Sequence, residues 1–181
     1  MGYDAMHELA DRGLDAERLA HIKSTIASVG GVRDVHMLRT RKHGGQASAD
    51  VHLLVDPTIS VSEGHAIAIL VEQRLKREID EITDVTVHID PEDDETAPPT
   101  MDLPLRTEAL ARLDRHWLGI AAASHRQGVL LHYLGGRIEV EVILPLAVCE
   151  GDLDKARTLG DRLQEAVKDD ACFHRVTLYL S

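Results

Sequence analysis

Four side chains able to ligate a metal recur in three short segments rich in β-branched residues. His36 lies in VRDVHMLRTR, His52 in SADVHLLVDP, and His88 and Asp90 in DVTVHID. Neutral imidazole nitrogen and carboxylate oxygen are the usual non-thiolate ligands of zinc, at about 2.0–2.2 Å. Imidazole-rich sites also accept other late first-row ions, so the set points to Zn2+ or another divalent transition metal. An aspartate among imidazoles bridges two ions or orients a ring nitrogen, which predicts one or two ions per protomer. A fifth candidate is His65, in VSEGHAIA, placed to reach over a sheet edge toward His88.

The elements that must position these residues follow from hydrophobic period. LDAERLAHIKSTIASVGG repeats Leu19, Ile22, Ile26 and Val29 at helical spacing, with Asp15 as its cap and Gly30 as its left-handed end. The two strand-like runs that hold His36 and His52 flank KHGGQ, a glycine pair suited to a hairpin tip. SVSEGHAIAILVEQRLKREI opens with Ser60 and Glu63 in capping-box spacing and carries Ile67, Leu70, Val71, Leu75 and Ile79 as one stripe. DVTVHID closes an αββαβ order. In a strand, residues two apart share a face. Val85, Val87 and Ile89 therefore point inward and His88 and Asp90 outward, while Val51, Leu53 and Val55 turn His52 the same way. His36 takes an outward phase between Val35 and Met37. A register that sets His36 opposite His52 brings their Cβ atoms to about 4.5–5.5 Å.

The same order recurs after an acidic, proline-rich stretch. Gly44–Gly45 and Gly135–Gly136 stand 91 positions apart, as do His88 and Tyr179. SEGH and CEGD align at an offset of 87, which requires one loop-length difference. The fold class expected is α+β: tandem αββαβ ferredoxin-like units, each a three-stranded sheet with two helices on one face and the other face open. The domains expected are a connector at 1–14, a metal-binding unit at 15–90, a linker at 91–104 and a second unit at 105–181. In that second unit Glu139, Glu141, Tyr179 and Ser181 occupy outward positions, so the repeat keeps the fold and lacks the ligands.

Composition narrows the partners. The chain has 181 residues, a net charge of -11 and 3% aromatics. Phosphate backbones are bound by clustered Lys and Arg and single strands by stacked aromatics, so nucleic acid is excluded and divalent cations or proteins are favoured. Cys149 and Cys172 have no close-spaced partners and read as reduced structural thiols, which fits a cytoplasmic setting. No run reaches the roughly 18 apolar residues of a membrane helix. HExxH and similar catalytic motifs are absent, so no enzyme is expected. His7, His21, His43, His116, His125, His132 and His174 receive no role.

GGVRDVHMLRTRKHGG, ADVHLLVDPTISVSEGHAIA and DVTVHIDPED, in this order, resemble the cytoplasmic C-terminal domain of the cation diffusion facilitator family of metal transporters, over about residues 3–93. The start DAMHELADRGLD is similar to the segment after the family's last membrane helix. The resemblance implies a homodimer that binds zinc or a related cation through His36, His52, His65, His88 and Asp90, attached to a transmembrane domain of about six helices. The chain then reads as the soluble, cytoplasmic tail of a membrane antiporter, shifted by metal toward a closed dimer. The alternative is a free-standing cytosolic metal carrier or small-ligand sensor.

Overall fold

The computed structural model describes residues 13–93 and 96–181; most of the connector expected at 1–14, with His7, lies outside them. The chain divides into two compact units, Met1–Glu95 and Thr96–Ser181. Both have α+β architecture. No helix of the described residues is long and apolar enough to cross a membrane.

In the first unit α1 (Ala16–Ala27) begins where the Asp15 carboxylate accepts the Arg18 amide at 2.9 Å, satisfying one orphan donor of the first turn. Beyond its end the positive φ falls on Gly31, at 92°, and not on Gly30 as the sequence suggested. A Cβ on Gly31 would stand 2.6 Å from Ile67 Cδ1, so packing against the next helix also selects glycine there. Strands β1 (Asp34–His43) and β2 (Gln46–Leu54) form the expected hairpin. Its two-residue tip, Gly44 and Gly45, has φ of 58° and 88°, the type I′ requirement.

The long helix α2 (Val61–Glu78) starts at Ser60, whose hydroxyl accepts the Glu63 amide at 3.1 Å. Gly64, Ile67, Val71 and Leu75 form its buried face. Leu70, assigned to this stripe from the sequence, is 54% exposed. At 100° per residue Leu70 and Val71 cannot both face the sheet, and the Ile67–Val71–Leu75 row prevails. Strand β3 (Ile82–Asp90) completes the unit. The sheet order is β1-β2-β3, with β1 antiparallel and β3 parallel to the central β2. Ile22 and Ile26 of α1, Val71 and Leu75 of α2, and Val51 and Leu53 of β2 are fully buried together. The core therefore lies between the helices and one sheet face, leaving the other face open.

The second unit repeats this plan with α3 (Arg106–His116), β4 (Gly128–Leu134), β5 (Arg137–Leu144), α4 (Leu153–Glu165) and β6 (Phe173–Leu180), plus short 3-10 turns at Ala121–His125 and Leu146–Cys149. Its sheet order is β4-β5-β6, again antiparallel then parallel. The pairing of the central strand with its parallel neighbour repeats residue for residue. Ala47 pairs with Ile82 and Ile138 with Phe173, and both central strands shift register one residue later, all at an offset of 91. The helices follow a different offset from the one expected. The N-caps Ser60 and Asp152 are 92 positions apart, so SEGH, inside the first turn of α2, is not the counterpart of CEGD, which precedes α4. Trp117 Nε1 donates to the Leu163 carbonyl at 3.1 Å and ties the end of α3 to α4 in a separate core.

Candidate metal site

The open face of the first sheet gathers three of the predicted ligands. The ligand atoms of His36, His52 and Asp90 lie within 4.8 Å of one another, the only such group of His, Cys, Asp and Glu among the described residues. Asp90 is the hub. Its Oδ2 lies 2.9 Å from His52 Nδ1 and 3.1 Å from His36 Nε2. All three side chains are partly buried, with 14% of Asp90 and 11% of His36 exposed. Partial burial lowers the local dielectric and strengthens any charge-assisted contact made there.

Each side chain reaches this point for an identifiable backbone reason. His52 and Asp90 follow strand alternation: Val51 and Leu53 are buried against the helices, which turns His52 outward, and Ile89 packs inward, which turns Asp90 outward. The parallel register sets His52 beside His88 and Leu54 beside Asp90. His36 arrives differently. The residue opposite His52 is Met37, so the register that would set His36 there is not the one adopted. Leu38 pairs with Val51 and packs on the core, so simple alternation puts Met37 outward and His36 inward. A bulge between Val35 and Met37 inserts the extra residue that returns His36 to the open face. Nothing in VRDVHMLRTR announces that bulge.

The remaining two candidates stand apart from the trio. His88 is exposed and stacks on His52, with ring centroids 4.4 Å apart and planes 18° from parallel. His65 is exposed in the first turn of α2 and lines a groove of about 410 Å³ with Val55, Ile59, Val87 and Ile89. Val87 and Ile89 belong to the helix-covered face, so His65 is not brought to the cluster within its own chain.

The trio fits a metal ion. In a tetrahedral zinc site neighbouring ligand atoms are about 3.3–3.4 Å apart, given bond lengths near 2.0–2.1 Å. The distances of 2.9 and 3.1 Å to Asp90 Oδ2 need to open by only a few tenths of an ångström. His36 turns Nε2 toward Asp90, and its Nδ1, on the other side of the ring, is buried with no hydrogen-bond partner among the described residues.

The second unit replaces the site position by position. At the offset of 91, His36, His52, His88 and Asp90 become Gln127, Ile143, Tyr179 and Ser181. Gln127 and Ser181 remain paired, the Ser181 hydroxyl donating to Gln127 Oε1 at 2.6 Å, while Ile143 and Tyr179 occupy neighbouring register positions. Sequence reading found the last two replacements; that Ile143 stands in for His52 required the strand register.

The match between residues 14–92 and the family model described as "Cation efflux protein, cytoplasmic domain" coincides with the unit that carries this cluster. Residues 14–92 form a cation-efflux cytoplasmic domain. Similar proteins include Metal tolerance protein C1 of Arabidopsis thaliana, 38% identical over 90 residues, covering 50% of this chain and 19% of that protein. Cation-efflux pump FieF of Pectobacterium atrosepticum is 37% identical over 91 residues, covering 50% of this chain and 30% of the pump. The chain thus spans less than a third of either relative. Among solved structures, MamM-CTD is 29% identical with a TM-score of 0.41, covering 43% of this chain and 100% of that one. A manganese form of a MamM CTD variant is 31% identical with a TM-score of 0.40, covering 41% of this chain and 94% of that one. The fold assignment rests on strand order and register, not on these scores. The family match ends at residue 92, ahead of the second unit.

Proposed function

We propose that this chain is the cytoplasmic regulatory and dimerisation region of a divalent-cation efflux transporter and that it senses zinc or a related ion. The observation that carries the reading is the convergence of His36, His52 and Asp90 on one open sheet face. These three residues would hold the ion, which supplies positive charge to a chain of net charge -11. His88, stacked on His52, is the proposed ligand for a second ion sharing the same face. His65 lies too far round its own sheet to join them, so a ligand role for it needs a second protomer.

The residues act by charge and position. Without the ion, Asp90 is held by two imidazoles and the acidic protomers repel one another. With it, the carboxylate is neutralised and a closed homodimer is favoured. The shift in population is limited to the difference in ion affinity between the two dimer states, and a factor of 100 corresponds to about 2.7 kcal/mol. The proposed partners are a second copy, a transmembrane transport domain on the cytoplasmic side of the membrane, and the cation itself. Residues 1–14 would connect to that domain, residues 91–104 would link the units, and the second unit would serve interaction.

Zinc titration of the wild type and of His52→Ala, followed by calorimetry and by small-angle scattering, tests this reading. The wild type should bind one or two ions and contract, and His52→Ala should do neither. Equal binding by the two proteins would overturn the assignment of the site.

A further inference from the structure

Alternation from Leu38 puts Met37 on the open face that the bulge in β1 returns His36 to, and Met37 has no part in the metal site described so far. Its Cα partner is His52, the central imidazole of the cluster. Directly opposed residues on one face of an antiparallel pair have Cβ atoms about 4.5–5.5 Å apart. Met37 is half-buried, yet the β1 side chains packed on the first core are Val35 and Leu38. Its cover therefore comes from the open face, where His36 and His52 stand. Three protein ligands leave a tetrahedral ion one open position. A methionine side chain has three rotatable bonds with which to reach it and a polarizable thioether to offer.

We propose that Met37 is a selectivity residue of this site: its thioether sulfur completes the coordination of soft ions, whereas zinc keeps water or a carboxylate oxygen in that position. Soft sulfur donors discriminate among metals by ligand softness and not by raw affinity. The site would then hold cadmium or copper(I) with four protein ligands and zinc with three. The inference rests on His36, His52 and Asp90 forming the metal site proposed above.

Cadmium is the probe, because it is soft and does not cycle redox states in peroxide. Oxidation of Met37 by dilute peroxide is followed by peptide mass spectrometry, with Met101, 91% exposed, as the internal control. A sulfur bound to an ion is shielded from oxidation, so one equivalent of cadmium should slow Met37 sulfoxide formation about fivefold or more while zinc and Met101 show little change. In parallel, Met37→Leu keeps volume and removes sulfur. It is compared with the parent in a Cys172→Ser background, which removes the half-buried thiol. Cadmium affinity should fall about tenfold with zinc affinity within about twofold. Unchanged cadmium affinity, or an equal loss for both ions, overturns the selectivity role. If His52→Ala binds cadmium as tightly as its parent, the underlying site reading fails instead.

Discussion

His52→Ala and Leu53→Ala alter adjacent residues that alternation sends to opposite faces, so they should separate metal binding from folding. Leu53 is fully buried against both helices. Truncating such a leucine costs about 2–5 kcal/mol through lost transfer energy and the cavity left behind. At about 4–8 °C per kcal/mol for a domain of 60–100 residues, melting should drop by about 10 °C or more. His52 is 22% exposed on the open face and supports no core side chain. Its loss removes a stack on His88 and a contact to Asp90, so the stability cost should be about 1 kcal/mol. The metal consequence is reversed. Outer-shell changes alone cost about 10–100-fold in metal affinity, and His52 is one of the three proposed direct ligands, so a loss of at least about 100-fold is expected. Calorimetric scanning and zinc titration of both variants read the two effects independently. Comparable destabilisation of the two variants, or undiminished zinc binding by His52→Ala, would refute the assignment of faces.

Asp90→Asn keeps shape and removes the charge that faces two imidazoles; zinc affinity should fall as far as in His52→Ala, and a titration showing near-parental affinity would contradict the hub role. Tyr179→Ala and Ile143→Ala should leave the number of ions bound per chain unchanged by mass spectrometry, because the second unit lacks the cluster. Protons compete with metal for neutral imidazole, so lowering pH from about 7 to about 5.5 should release the ion; tighter binding on acidification would count against imidazole ligation. In the second unit burial would raise the Asp170 carboxyl, but hydrogen bonds from His116 and from the Cys172 amide outweigh it and hold the group below its ordinary 3.8. A depressed native value stabilises above the unfolded value, and that stability is lost as pH falls through the native one. The urea midpoint read from Trp117, the single tryptophan, should therefore decline below about pH 4 in the wild type and less steeply in Asp170→Asn. Parallel declines would remove Asp170 from the account.

The sequence determined what depends on local period. Alternation in ADVHLLV and DVTVHID was enough to place His52, His88 and Asp90 on one face opposite Val51, Leu53, Val87 and Ile89, because side-chain direction in a strand reverses at every residue. The hairpins were legible from paired glycines and the duplication from a constant offset. Tertiary structure decided everything that depends on which residue sits beside which. His36 joins the cluster only through a bulge, Met37 takes the place opposite His52, and Ile143 replaces His52 in the second unit. Leu70 loses its place in the core to Val71, Gly31 takes the left-handed turn because Ile67 lies against it, and His65 is left on the helix-covered side. Bulges, register and helix rotation are fixed by contacts between segments distant in the chain, and a period read within one segment carries no record of them.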